Sequence, residues 1–509
     1  MKENITYTFY LSASIFLLFL SACKTSTPKT FEDYQTARQQ LVARDQQLSF
    51  SYEVQLSAKE QQLDEQMRNI QQQWLERYQS EHFFPPARNF YLSKTHIESH
   101  PLFQLLQRMP KGGALHIHAA AIGQADWIIE KAKQLPEMHV YWSTTTDKYT
   151  KGQLYAFAAD QVPDGFQSVA KLAAKQADFG QEMRALLTFD QSIDRDSVDI
   201  WQEFELIFQR IYGFISYEKV YADYITHGLQ LLAADQVQHA ELRSTSFGQL
   251  YTIDYTPTAI DIEASVKVLE QIERNMQAID PDFTFNIIYA GLRFKNRAAI
   301  WEEIETIYEF RKRHPKWMRG FDLVAEEDAG NTTLFHAPLF LKLDSMERAD
   351  QLDLPLYLHD GESNWASSNN LYDAVLLGTK RIGHGLNLFR FPSLLEAVKE
   401  KDICLEINPL SNQILGYIRD LRNHPASTYL RRGINCSISS DDPLILDYAG
   451  LSYDYWSIYM AWELGLADLK QLSRNGLLYA AVTEEERAKA LAVWEARWAV
   501  FVEEALGDF

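Results

Sequence analysis

Four short stretches carry side chains suited to holding a cation: "LHIH" ending at His118, "LYLHDGE" ending at Glu362, "RIGHG" around His384, and "SISSDDP" with Asp441 and Asp442. His116 and His118 stand two positions apart, so on an extended strand both point the same way while Leu115 and Ile117 face the opposite layer. Two imidazoles at that spacing can chelate one ion. Taken alone, the pair reads equally well as two core or surface histidines. Adding His359 and Asp441 gives three histidines and one carboxylate, a donor set that fits a catalytic zinc with space left for a water.

These residues are far apart in the chain, so the elements that carry them must converge. From about Leu102 onward, short apolar runs alternate with long amphipathic segments. Eight such runs read as strands: "GGALHIHA", "VQHAELRS", "FNIIYAGLRF", "MRGFDLVAEE", "LPLYLHDGE", "RIGHGLNL", "ICLEINPLS" and "NCSISSDDP". Strand followed by helix, eight times, predicts an α/β protein with a (β/α)8 TIM-type barrel, in which C-terminal strand ends meet at one mouth. A doubly wound open sheet is the alternative, but no GxGxxG follows a strand. A long insertion of about residues 123–235 separates the first two strands. Ahead of the barrel, residues 31–78 are rich in Gln, Glu and Arg with apolar residues at helical spacing, and Pro85 and Pro86 break the pattern. The expected division is therefore 1–23, a leader; 24–82, a polar tether and helical extension; and 83–509, the barrel.

Composition narrows the function classes. A net charge of −20 and a pI near 5.1 argue against non-specific nucleic-acid binding. The three cysteines, Cys23, Cys404 and Cys436, form no CxxC, which removes cysteine-rich zinc modules and the nucleobase deaminases that hold zinc with a cysteine pair. Cys404 and Cys436 lie in apolar runs and read as buried structural thiols. The N-terminus has Lys2, an apolar run to Leu20 and then "LSAC", the pattern of a signal peptide ending in a lipobox. The expectation is a bacterial lipoprotein, anchored through Cys23 on the extracytoplasmic side and otherwise soluble.

The pieces "MPKGGALHIH", "HAELR", "GFDLVAEED", "LHDGES", "RIGHG", "LEINPLSN" and "SISSDDP" together resemble the adenosine deaminase family. "IESHPLFQLLQRMPKGG" and "WQEFELIFQRIYGFISYEKVYADYI" are similar to its secreted, growth-factor-related branch. The resemblance spans roughly Phe83 to the C-terminus. It implies zinc-dependent hydrolytic deamination of adenosine, deoxyadenosine or a close analogue to the 6-oxopurine nucleoside and ammonia, with one Zn2+ per chain. His116, His118, His359 and Asp441 fall on the zinc-ligand positions. Glu362 matches the acid that protonates purine N1, His384 the histidine that orients and helps deprotonate the attacking water, and Asp442 the aspartate that bonds N7. The glycine whose N–H meets purine N3 is here Ala325.

A second departure concerns the sugar. The family carries an aspartate after the first two histidines that reaches the ribose, whereas this chain reads "HIHAAA", with Ala119 after His118. A site that bonds a hydroxyl discriminates through it, and alanine cannot. Two readings therefore stand beside the leading one: a barrel amidohydrolase acting on another amine or amide, and a non-catalytic nucleoside-binding lipoprotein. His239 and Glu241 of "QHAELRS" are candidates to face the mouth, Asn408 and Asn412 to brace a mouth loop, Trp365 to cover the pocket, and His424 to form a turn. A homodimer through the N-terminal helices is compatible with the sequence.

Overall fold

The structure, a computed structural model, describes residues 27–191, 199–245, 250–253 and 262–508. The expected leader, residues 1–23, and with it Cys23, lies outside the described residues. Among the described residues no helix is long and apolar enough to cross a membrane.

All eight expected strands form, in chain order: β1 (Gly112–His118), β2 (Val237–Ser244), β3 (Thr284–Leu292), β4 (Met318–Val324), β5 (His359–Asp360), β6 (Arg381–His384), β7 (Cys404–Ile407) and β8 (Cys436–Ile438). β1 to β4 pair in parallel as one four-stranded sheet and β5 to β8 as another. Two seams join the sheets. At one, Phe321 bridges Leu356, with Phe321 N–H donating to Pro355 O (2.9 Å) and Tyr357 N–H to Phe321 O (2.9 Å). At the other, Ile117 bridges Asp441, with His118 N–H donating to Asp441 O (3.0 Å) and Asp441 N–H to His116 O (3.2 Å). The order is circular: a closed parallel barrel, as the alternation of runs predicts. The second seam carries three of the candidate metal ligands, so closing the barrel is what brings Asp441 to His116 and His118.

Two glycines set the bottom. A Cβ on Gly113 would lie 2.1 Å from Gly476 O, and one on Gly476 would meet the Gly113 backbone at 2.4 Å. Helix Leu466–Leu478 can therefore press its backbone against β1 only because both positions lack a side chain.

The N-terminal extension is helical as expected, in α1 (Phe31–Leu48) and α2 (Ala58–Glu81). α2 starts at a Ser57/Glu60 capping box and buries Leu63, Met67, Gln71 and Tyr78, an i, i+4 stripe. The stripe rests on the C-terminal part of the chain: Gln71 Nε2 donates to Tyr459 O (2.7 Å), and Glu60 accepts from Lys470 Nζ (2.6 Å) and Trp498 Nε1 (2.7 Å). α1 has no such stripe and buries no residue. The insertion after β1 holds a small antiparallel sheet (Met138–Tyr141, Leu154–Ala156, Phe166–Ser168) and helix α3 (Ile200–Ile215). Asp199 caps α3 by accepting from Trp201 N–H (3.1 Å) and Gln202 N–H (3.2 Å). The helix buries Phe204, Ile207, Ile211 and Phe214, and a second face, with Trp201, Glu205, Phe208 and Tyr212, borders a cavity at the barrel mouth.

Candidate active site

His116 ends up buried and His118 just reaches the cavity, both on the inner side of β1. His359 opens β5, and Asp441 follows β8 in a left-handed backbone conformation (φ 64°) that turns its carboxylate inward. One ligand atom from each of His116, His118, His359 and Asp441 lies within 4.8 Å of the others. His116 Nε2 is 3.3 Å and His118 Nε2 3.2 Å from Asp441 Oδ1, while His118 Nε2 and His359 Nε2 are 3.3 Å apart.

The outer ring atoms fix what the inner ones offer. His116 Nδ1–H donates to Glu406 Oε2 (2.8 Å) and His359 Nδ1–H to Asp322 Oδ2 (2.6 Å). Each Nε2 then presents a lone pair to the centre. His116 Nε2 and Asp441 Oδ1 are buried with no hydrogen-bond partner. Lone pairs facing one another in a buried space, without a proton between them, are a costly arrangement that a cation resolves. The residues fit a metal ion. Burial holds His359 well below the usual imidazole range, which keeps its lone pair available.

Beneath the histidines runs an alternating line of buried charges that sequence reading did not assign. Arg243 donates to Asp322 (2.7 Å) and to Glu406; Arg381 donates to Glu406 (2.6 Å) and to Glu241. Burial alone would raise the Glu406 carboxyl, but Arg243 and Arg381 hold it well below the usual range. His239 and Glu241 belong to this lower layer. His239 bonds Thr284 Oγ1 (2.8 Å), and Glu241 accepts from Ala481 N–H, so neither lines the mouth. Arg243 is the β2 residue that reaches the cavity floor.

Above the metal set, Glu362 and His384 face each other at 3.5 Å (Oε1 to Nδ1). Gly383 permits this packing: a Cβ there would sit 3.0 Å from His116 Cε1 and 3.2 Å from the His359 Cα. Burial, then the nearby Asp441 and Glu327 charges, raises the Glu362 carboxyl well above the usual range. The Glu362 N–H donates to Glu327 Oε2 (2.7 Å), whose other oxygen accepts from Ser368 Oγ and Asn370 Nδ2 (2.9 Å each), fixing the loop after β5. Burial, then the Asp441 charge, raises the Asp442 carboxyl as well, and it lines the same cavity.

A relay assigns the His384 tautomer. Ala426 N–H donates to His424 Nδ1 (3.1 Å), leaving His424 Nε2–H to donate to Asn412 Oδ1 (3.1 Å). Asn412 Nδ2 then donates to His384 Nδ1 (3.2 Å), which puts the His384 proton on Nε2, the atom 3.8 Å from Asp441 Oδ2. Burial lowers His384 to about 3, so the ring is neutral. Asn412 and His424 thus orient a site residue. Trp365 is 65% exposed and does not line the cavity.

The cavity, about 330 Å³, is walled by His118, His359, Glu362, His384, Asp441 and Asp442 on the barrel side and by α3 on the other. Ala325 lines it with φ 85°, a conformation that disfavours any side chain. Ala325→Gly should therefore raise unfolding free energy by about 0.5–1 kcal/mol with KM preserved. Denaturant unfolding checks it, and a loss of stability in the glycine variant would show the strain to be absent.

Comparison with known proteins identifies the family. A family model described as Adenosine deaminase matches residues 177–493, and one described as Adenosine/AMP deaminase N-terminal matches residues 14–106. Adenosine deaminase 2 of Dictyostelium discoideum is 31% identical over 487 residues, covering 94% of this chain and 88% of that protein. An adenosine deaminase of Lutzomyia longipalpis is 32% identical over 496 residues, covering 93% and 94%. Among solved structures, the adenine deaminase of Arthrobacter aurescens aligns with a TM-score of 0.53 at 18% identity, over 78% of this chain and 99% of that one. An Arabidopsis protein complexed with IMP gives 0.54 at 15%, over 78% and 99%. At such identities the structural likeness speaks to the barrel alone. The family model and the relatives go further, since together they run from the N-terminal helices through the last barrel strand, and the chain belongs to the adenosine deaminase family.

Proposed function

We propose that this protein is a zinc-dependent adenosine deaminase, in which His116, His118, His359 and Asp441 hold the ion while Glu362, His384, Asp442 and Ala325 handle the purine. Hydrolysis of adenosine or deoxyadenosine to the 6-oxopurine nucleoside and ammonia is the reaction of a metal-dependent aminohydrolase of this family. The observation that carries the reading is the convergence of ligand atoms from His116, His118, His359 and Asp441, with His116 Nε2 and Asp441 Oδ1 buried and unpartnered, beside a buried Glu362 whose carboxyl is raised well above the usual range.

When bound, zinc activates a water by bringing its pKa to about 7. The chain's own groups act on the purine. Glu362 carries the proton for N1, whose protonation leaves C6 open to attack. Protonated Asp442 donates to N7, and the Ala325 N–H is the donor for N3. His384, neutral with its proton on Nε2, orients the attacking water and steadies charge as it develops at C6. Attack forms the C6–O bond; the proton of the added hydroxyl then passes to the amino group, the C6–N6 bond breaks and ammonia leaves. N1 keeps the proton from Glu362, and Glu362 is reprotonated by the proton the attacking water gave up.

The full chain is further inferred to be a lipoprotein, cleaved before Cys23, with residues 24–82 as tether and helical extension and 83–509 as the catalytic barrel. The lipobox pattern of "LSAC" supports this, and so does a polar segment directly after it. It puts the enzyme on the extracytoplasmic face of a bacterial membrane, with α1, which buries no residue, available for homodimer contact.

The test is ammonia release from adenosine by the purified protein, before and after dialysis against a chelator. Activity should fall below about 1% on metal removal and return with one equivalent of Zn2+. Full activity after verified loss of metal would sink the zinc reading.

A further inference from the structure

Four carboxylates line the cavity: Glu205, Glu362, Asp441 and Asp442. The proposed chemistry uses the last three and leaves Glu205 idle. Glu205 lies on α3, opposite the metal set, one helical turn beyond Trp201 and one before Gln209, and all three border the cavity. Trp201 is held by its indole, which donates to Tyr417 Oη (3.0 Å). No hydrogen bond or ion pair joins the Glu205 carboxylate to any described residue. Its surroundings are acidic too: burial, then the charge of Glu326, raises the Glu205 carboxyl above the usual range, and burial, then Asp199 and Asp328, raises Glu326.

The barrel side of the mouth offers little to a sugar. β1 ends in His118 and then Ala119, a buried methyl, so nothing polar projects there beyond the metal set. Among the described residues no lysine lines the cavity, and Arg243, which does line it, is already committed to Asp322, Glu406 and Leu115 O. A phosphate entering this cavity would meet carboxylates and, among the described residues, no free cation.

We infer that Glu205 is the sugar-reading and phosphate-excluding residue of this site: its carboxylate accepts hydrogen bonds from ribose hydroxyls and, with Glu326 behind it, selects a nucleoside over its 5′-monophosphate. The assignment rests on the deaminase reading. A charged acceptor binds a hydroxyl strongly, and leaving that acceptor unpaired penalises a substrate without the hydroxyl. The same charge, in a poorly solvated mouth, repels a dianion.

The experiment is a steady-state comparison of wild type, Glu205→Ala and Glu205→Gln, all zinc-loaded. The substrates are adenosine, its 2′-deoxy, 3′-deoxy and 5′-deoxy analogues, and AMP. On wild type, at least one deoxy analogue should lose about tenfold or more in kcat/KM, and AMP should be the poorest substrate of the series. In Glu205→Ala, adenosine should lose a similar factor, mostly through KM, and the sensitive deoxy analogue should lose nothing more. In Glu205→Gln, which keeps size and removes charge, the AMP-to-adenosine ratio should rise about tenfold. If both variants match wild type across the series, the assignment to Glu205 is overturned while the deaminase stands. If wild type turns over none of the adenine compounds, the deaminase reading itself fails and this one falls with it.

Discussion

Glu362→Gln is expected to lower kcat on adenosine by a factor of about 10²–10⁴, the usual worth of a positioned general acid, with KM near the wild-type value. Glutamine matches glutamate in shape and can still donate a hydrogen bond to N1, so the purine should bind as before. What it lacks is a proton that can be given up. Glu362 is well set for that single task. Its side chain is buried, its Oε1 has no hydrogen-bond partner within the protein, and Glu327 clamps its backbone N–H at 2.7 Å. Burial raises its carboxyl well above the usual range, which favours the acid form, and activity should decline as pH rises through that raised value. Glu362 lies outside the His116, His118, His359 and Asp441 set, so the variant should keep its zinc. Single-turnover rates and metal analysis on the same preparation decide the matter. A kcat within about threefold of wild type would move the acid role to another residue.

Much of this site was legible because each ligand sits at a strand end and each strand carries a clear apolar signature. "LHIH" announces its facing pair through the two-residue period of a strand, and "RIGHG" marks a histidine between glycines, one of which the packing requires. The small antiparallel sheet in the insertion was not legible, because runs such as Leu154–Ala156 and Phe166–Ser168 are too short to show a period. The buried charges were hidden for a different reason. Glu241 and Arg243 alternate with Ala240 and Leu242, and in most sheets such a face is solvated. Here it points into a closed barrel, where the partners Asp322, Arg381 and Glu406 arrive from β4, β6 and β7. Only the tertiary closure turns that pattern from a wet face into a dry chain of ion pairs. Glu205 escaped notice similarly: on a helix with strong amphipathic signal, a lone carboxylate reads as surface until the helix is seen to roof a cavity.

Arg243→Met should cost about 3–5 kcal/mol of unfolding free energy, far more than an ordinary surface ion pair, and should weaken zinc binding about 10–100-fold as well. Arg243 is buried, and its guanidinium joins Asp322 to Glu406 while also donating to Leu115 O. Removing it leaves two carboxylates facing each other across a dry core, each lacking its main counter-charge. Those same carboxylates hold the outer nitrogens of His359 and His116, so the damage passes directly into the metal set. Methionine fills most of the volume, which confines the loss to charge and hydrogen bonding and leaves little cavity term. Lys131→Met is the control: its partner Asp223 is largely exposed, and the pair should be worth no more than about 1 kcal/mol. Denaturant unfolding of the metal-free proteins gives the first number and competitive zinc titration the second. Equal zinc affinity in Arg243→Met and wild type would show that Asp322 and Glu406 orient their histidines without the arginine between them, and the chain of charges would then be a matter of folding alone.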